Sequence, residues 1–299
     1  MLNWLASLPG AVAQGIIWGI MAIGVYITFR ILDIADLSVD GTLCTGGAVC
    51  AVLITAGVPV PVALLAALLS GLLAGLLTGV FHTFLGIPAI LSGILTQLIL
   101  WSINLKIMGK ANVPLSARAF PVWLTSMNIP RSLPVLLAFC VAIILLLYWL
   151  FGTELGASIR ATGCNLNMSR AQGINTNFTK ILGLMFSNAL VALAGALLTQ
   201  YQGFADINMG RGAIVIGLAA IVIGEATVTR FFTNFIARLS GVILGGVIYF
   251  FVYQTVIFIG LDPDLLKMLS AIVVAVFLGI PYLKKQYFPA GKRKGESHA

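Results

Sequence analysis

Apolar segments follow one another along nearly the whole chain, separated by short polar stretches. The first, residues 10–29, carries no charged side chain. A bilayer core about 30 Å thick is crossed by roughly 20 helical residues, so this segment can span it. Only 9% of the residues are charged, against about 25% in soluble domains. Too few polar side chains remain to cover a water-facing surface, and the sequence predicts an all-α polytopic membrane protein.

About nine spans are predicted, two of them short. They cover residues 10–29, 42–56, 62–81, 87–103, 133–151, 180–199, 212–224, 234–254 and 267–282. An odd number of spans puts the termini on opposite sides. The basic tail 284–299 is expected in the cytoplasm and the N-terminus outside, which places eleven of the 17 Lys and Arg residues inside. The net charge of +8 therefore indicates orientation and contact with lipid headgroups, and not nucleic acid binding.

The chain resembles itself at an offset of 170 residues. Residues 35–39, Ala-Asp-Leu-Ser-Val, recur as Ala-Asp-Ile-Asn-Met at 205–209, and Ser70-Gly71 recurs as Ser240-Gly241. The two copies enter the membrane from opposite sides, which predicts inverted repeats at about 10–104 and 180–283. Chance similarity between apolar segments is the alternative. Inverted repeats with interrupted helices are typical of transporters.

Two polar segments interrupt the predicted spans at equivalent places in the repeats. Residues 33–41 contain Asp36 and Ser38, and residues 203–212 contain Asp206 and Asn208. These side chains can cap the exposed N–H groups of the short helix that follows, with glycine allowing the chain to turn. The alternative is that Asp36 and Asp206 bind a proton or cation in an ion-coupled secondary transporter.

Two other aspartates of the first polar segment, Asp33 and Asp40, are expected at the interface. The tight turn after the third span contains His82, and an interfacial role is expected for it as well.

Motifs for bond-breaking chemistry are missing from the sequence. It contains two histidines, no CxxC pair among its four cysteines, and no GxSxG, HExxH or phosphate-binding GxxxxGK[ST] motif. An intramembrane enzyme therefore lacks a catalytic set, and no metal site or bound cofactor is predicted. Gly71, Gly75 and Gly79 allow close helix contact, expected within the subunit rather than at a dimer face.

A long polar loop, residues 152–179, is predicted on the cytoplasmic side. Its polar and basic residues favour one or two short helices along the membrane surface, broken at Gly163 and Gly173. A plain connector could be shorter, so a cytoplasmic partner could bind here.

Three stretches resemble the permease subunits of bacterial ABC importers in the branched-chain amino acid and ribose permease superfamily. They are I-A-D-L-S-V-D-G at 34–41, R-A-T-G…G-I-N-T within 156–176, and the run 195–225. Asp40 before Gly41 departs from the ribose-type pattern. Residues 205–210 are more similar to a tryptophan and tyrosine type subgroup.

This resemblance implies one transmembrane domain over residues 1–299 in the bacterial inner membrane. Its expected partners are a second permease copy, two ATP-binding cassette subunits that bind ATP and Mg, and an extracytoplasmic solute-binding protein. Coupling to the ATPase is expected through Arg160, Gly163, Arg170, Gly173 and Asn175. Residues of the translocation path or helix breaks would be Asp36, Ser38, Asp206, Asn208 and Gln97, with Asn104 on the same span. The implied function is import of an amino acid or similar small solute.

Overall fold

The computed structural model describes residues 2–228 and 234–259, with isolated helical positions at 268, 271, 272, 275 and 279. Its elements in chain order are α1 Leu2–Tyr26, a π-helical turn Ile27–Ile31, α2 Val39–Thr55, α3 Val60–Thr83, α4 Ala89–Met108, β1 Asn112–Pro114, α5 Ile129–Gly152, α6 Glu154–Cys164, α7 Leu166–Ala171, α8 Thr176–Gln202, β2 Phe204–Asp206, α9 Ala213–Val228 and α10 Phe235–Phe258.

The helices confirm an all-α polytopic membrane protein. Within the described residues, 6 helices are long and apolar enough to cross a bilayer, and α2 and α9 are shorter apolar helices. They correspond to the first eight predicted spans. The ninth, 267–282, lies outside the two continuous described ranges. Most observed helices extend a few residues past the predicted bounds, because polar residues continue their first and last turns.

Two helices form the centre of the molecule. In both α1 and α8, 83% of the apolar segment is buried. The helix α3 packs along α8, and α10 packs along α1. The 170-residue offset relates α1 to α8 and α3 to α10, so each half packs its outer helix on the central helix of the other.

Glycines set the distance between these helices. A Cβ at Gly71 or Gly75 would overlap the α8 backbone at Asn188 or Leu184. A Cβ at Gly245 would similarly overlap the carbonyl of Ala220 in α9. The small-residue spacings therefore serve packing within the subunit, as predicted.

The first interrupted segment turns without glycine. After the π-helical turn, Asp33 adopts a left-handed φ of 55°, and α2 begins at Val39. The prediction that Gly41 lets the chain turn is wrong. Gly41 lies in the first turn of α2, where a Cβ would press on Gln97 and Leu100 of α4.

A two-stranded antiparallel sheet joins the loop after α4 to the segment after α8. Asn112 pairs with Asp206, and Pro114 pairs with Phe204. Each strand has three residues, which is too short for the alternation of apolar and polar residues that predicts a strand from sequence. This sheet fixes the second interrupted segment against the rest of the fold.

Candidate functional site

A buried hydrogen-bond network holds the first helix break. One carboxylate oxygen of Asp36, Oδ1, accepts from the backbone N–H of Ser38 at 2.8 Å and from its Oγ at 2.6 Å. The other, Oδ2, accepts from Asn188 Nδ2 at 2.8 Å. In turn, Asn188 Oδ1 accepts from Thr42 Oγ1 at 2.7 Å. The network ties the start of α2 to the middle of α8.

All the donors that reach Asp36 are neutral. The aspartate is 3% exposed, and within the described residues no basic side chain forms an ion pair with it. A buried carboxylate is stable only when its oxygens are hydrogen-bonded. Three donors meet that need here, which is the arrangement of a structural turn before a helix.

The second helix break repeats the turn but not its surroundings. Asp206 Oδ1 accepts from the backbone N–H of Asn208 at 2.8 Å, as Asp36 does from Ser38. Unlike Asp36, Asp206 is half-buried in β2, and Asn208 is exposed. The prediction that Asp206 caps the following helix is wrong, because α9 begins seven residues later at Ala213.

The helix α9 is capped from the other half of the chain. The Asp40 carboxylate accepts from Gly212 N at 2.9 Å and from Ile214 N at 3.1 Å. A carboxylate at a helix N-terminus satisfies free N–H groups and favours the helix dipole. The sequence predicted only an interfacial position for Asp40, and its role in joining α2 to α9 was not predicted.

A cavity of about 210 Å³ lies beside this contact. Polar, charged and aromatic side chains line it, among them Asp40, Cys44, Gln97, Trp101, Asn104 and Arg211. Of the six residues predicted for the path or helix breaks, Gln97 and Asn104 are on this wall. The other four form the two turns at Asp36 and Asp206. Asn104 is fully buried, and among the described residues its Oδ1 has no hydrogen-bond partner.

The loop after α5 folds into the two short helices that were predicted. Asn165 Oδ1 caps α7, accepting from the N–H groups of Asn167 and Met168 at 3.0 Å. Asn175 Oδ1 caps α8, accepting from Asn177 and Phe178 at 3.2 Å. Gly173 ends α7 with a left-handed φ of 82°, which glycine adopts readily.

Gly163 does not break a helix, contrary to the prediction. It lies inside α6, and the break comes at Asn165, whose backbone is extended. A Cβ at Gly163 would overlap the backbone carbonyl oxygen of Ile31, at the end of the π-helical turn. The glycine allows α6 to pack directly on the end of the first span.

The two arginines of this loop stabilise it from within. Arg160 donates to the Phe151 carbonyl at 2.8 Å, at the end of α5. Arg170 donates through Nε to Thr176 Oγ1 at 3.1 Å, at the start of α8. Both contacts connect the short helices to the long ones that flank them.

Apolar side chains on these short helices are exposed. Leu155 is 49% exposed, Met168 59% and, at the start of α8, Phe178 51%. Polar neighbours surround them, unlike the uniformly apolar outer faces of α3 and α5. Exposed apolar side chains with a polar rim mark surfaces that contact a partner protein or the membrane. We call Leu155, Leu166, Met168 and Phe178 the coupling surface, after the coupling role that the sequence resemblance implies for this loop.

Sequence reasoning missed the residues that act across the two halves. The partners of Asp40 and Asn188 lie about 150 to 170 residues away, and local patterns do not show such contacts. One signal was available for Asp40, because it is the residue that departs from the related motif. Arg211 lies within the second break, and no local pattern distinguished it from the other basic residues.

The family model for the permease component of branched-chain amino acid transport systems matches residues 8–278. The chain belongs to this permease family. The tyrosine transport system permease protein of Clostridioides difficile is 41% identical over 274 residues, which are 92% of this permease and 91% of the relative. The autoinducer 2 import permease LsrC of Salmonella choleraesuis is 30% identical, over 69% of this chain and 58% of that protein.

A solved structure shares the fold. The chain described as PsaBC from Streptococcus pneumoniae in complex with Fab aligns with a TM-score of 0.51 at 17% identity, covering 96% of this permease and 100% of that chain. Family and fold thus agree with a multi-pass permease of an ABC importer.

Proposed function

We propose that the chain is the membrane-spanning subunit of an ATP-driven amino acid importer. It acts as a homodimer, with the solute path at the dimer axis and two ATP-binding subunits on the cytoplasmic side. Those subunits bind ATP and Mg, and this chain carries out no hydrolysis. A solute-binding protein delivers the amino acid from outside.

The observation that carries the proposal is the contact of α6 with the end of the first span. Gly163 lies against the carbonyl of Ile31, and the Thr162 and Thr179 hydroxyls are hydrogen-bonded at 2.8 Å between α6 and α8. A force on the coupling surface therefore reaches both central helices without passing through a flexible linker.

A continuous chain of contacts leads from that point toward the cavity. The π-helical turn also meets α9, through an ion pair between Arg30 and Glu225. The network of Asp36 and Asn188 fixes the start of α2, and Asp40 fixes the start of α9 to α2. Movement of α6 would then shift both short helices together. Isolated π-turns are frequent at functional sites in helices.

The two halves support an inverted-repeat arrangement, with the N-terminus outside and the C-terminus in the cytoplasm. The helix α3 packs on α8, and α10 packs on α1. The 170-residue offset relates these two packed pairs to each other. The same offset relates the turns at Asp36 and Asp206.

The solute class rests on the relatives. The tyrosine transport permease matches over nearly its full length, and the family description names branched-chain amino acids. We therefore propose an α-amino acid with an apolar or aromatic side chain.

Ion-coupled transport is the competing function. It would need Asp36 and Asp206 to bind an ion, but Asp36 is occupied by three neutral donors and Asp206 lies in a surface strand. Among the described residues no group of three His, Cys, Asp or Glu side chains could hold a metal ion.

The test is co-purification of the permease with the ATP-binding subunit encoded beside it. Met168→Asp and Leu166→Asp place a charge on the coupling surface and should release that subunit. Leu85→Asp is the matched control, since Leu85 is a 63% exposed leucine in the turn after α3, on the same side of the membrane. Equal retention by all three variants would contradict docking at this surface.

A further inference from the structure

We propose that the cavity beside Asp40 binds the charged main-chain groups of an amino acid during passage, with the carboxylate on Arg211 and the ammonium on Asn104. The inference rests on the proposed function and names the solute groups that this permease recognises itself.

Asn104 supplies the acceptor. It lines the cavity and is 0% exposed to solvent, its Nδ2 donates to the Gly41 carbonyl at 3.3 Å, and within the described residues its Oδ1 has no hydrogen-bond partner. A buried carbonyl oxygen without a donor is costly, and such groups in native proteins call for an explanation. The N–H groups of an ammonium would supply the missing donor.

Arg211 supplies the cation. It is exposed and lines the same cavity, and no described residue forms an ion pair or side-chain hydrogen bond with its guanidinium. Guanidinium groups bind carboxylates in a bidentate geometry. The carboxylate of a solute would find here a cation that the protein does not neutralise.

The rest of the wall suits a zwitterion with a large side chain. The Asp40 carboxyl group lies on the same wall, and its oxygens accept from the α9 N-terminus. Trp101 is 44% exposed at the rim and offers a flat apolar surface. Both signs of charge on one small cavity match an α-amino acid better than a sugar or a metal ion.

The experiment uses proteoliposomes that contain the permease, its ATP-binding subunits and the solute-binding protein. A single reporter thiol is introduced into the cavity by Gln97→Cys with Cys44→Ser and Cys164→Ser, since Cys44 lines the same cavity and Cys50 and Cys140 are buried. Maleimide modification of that thiol is timed without ATP, in the presence of L-tyrosine, tyramine or 3-(4-hydroxyphenyl)propionate. The two analogues lack the carboxylate and the ammonium, respectively.

L-tyrosine should slow the modification several-fold, and neither analogue should do so at equal concentration. Arg211→Gln should remove the protection and lower ATP-driven tyrosine uptake about tenfold, as expected for one charge-assisted contact. Asn104→Leu should act in the same direction. Arg118→Gln, an exposed arginine in the loop before α5, is the control and should change neither value.

Equal protection by both analogues, or protection that survives Arg211→Gln, would overturn the inference. ATP-driven uptake without any protection would also overturn it while leaving the proposed function in place. Protection without ATP-driven uptake in the parent protein would support the binding site and contradict the proposed function as an ATP-driven importer.

Discussion

Asp40 and Gly210 are 170 residues apart in sequence and in direct contact in the fold, where a Cβ at Gly210 would overlap the backbone carbonyl oxygen of Asp40. The same offset relates the Asp36 and Asp206 turns. Two positions that are equivalent in a two-fold repeat can touch only at the axis. In the proposed inverted repeat, we therefore expect the axis between the halves to pass between Asp40 and Gly210, beside the cavity.

Replacing Gly210 should disturb this contact. Gly210→Ala inserts a methyl group against the Asp40 carbonyl and should destabilise the protein by roughly 1–3 kcal/mol, as overpacking usually does. Gly152→Ala is the matched control, because a Cβ there has no neighbour within 4 Å. Thermal unfolding of the purified protein in detergent measures both, and equal melting temperatures would contradict the contact.

Asp40 should matter as a helix cap. Asp40→Ala removes the acceptor for Gly212 and Ile214, and should cost about 1–2 kcal/mol of stability. Asp40→Asn keeps one acceptor oxygen and should lose less. Glu154→Ala, at an exposed acidic residue in the first turn of α6, should lose less than either. The order of the three melting temperatures tests whether Asp40 caps α9. A larger loss of stability for Glu154→Ala than for Asp40→Ala would contradict that role.

Gly163 should affect coupling more than assembly. Gly163→Ala pushes α6 away from Ile31, so ATP hydrolysis should continue while solute uptake per ATP falls several-fold. The measurement is the ratio of uptake to hydrolysis in proteoliposomes, with Gly152→Ala again as the control. An unchanged ratio would mean that α6 does not transmit force through Ile31.

Cys164 reports the orientation. Among the described cysteines it is exposed, whereas Cys44, Cys50 and Cys140 are buried. A membrane-impermeant maleimide should label it in inside-out vesicles and not in intact cells. Lys110→Cys in a Cys164→Ser background should show the reverse, since Lys110 lies in the loop expected outside. Labelling of Cys164 in intact cells would show that the orientation in the membrane is the reverse of the expected one.

Sequence patterns predicted the helices well because apolar segments that cross a bilayer must satisfy their own backbone hydrogen bonds, which a helix does. The short spans 42–56 and 212–224 correspond to α2 and α9, and the two polar breaks precede them as expected. The short helices of the 152–179 loop were also predicted, from its polar and basic residues. Gly173 ends α7 as predicted, whereas the break between α6 and α7 comes at the N-cap Asn165.

The parts that could not be predicted depend on contacts between distant segments. Asp40 reads locally as the first turn of its own helix, yet its carboxylate caps α9. Gly163 reads as a helix breaker, yet it serves the approach of Ile31. Asn104 and Arg211 become one site only when α4 and the segment before α9 meet. Polar side chains in apolar helices do not reveal their partners from sequence alone.

The most direct test of the account is uptake of radiolabelled L-tyrosine into proteoliposomes that hold the permease, its ATP-binding subunits and the solute-binding protein. Uptake should require ATP inside, should persist when ionophores remove every ion gradient, and should remain ATP-dependent in Asp36→Asn. Uptake that follows an imposed ion gradient without ATP, and that disappears in Asp36→Asn, would contradict the ATP-driven importer and favour ion coupling.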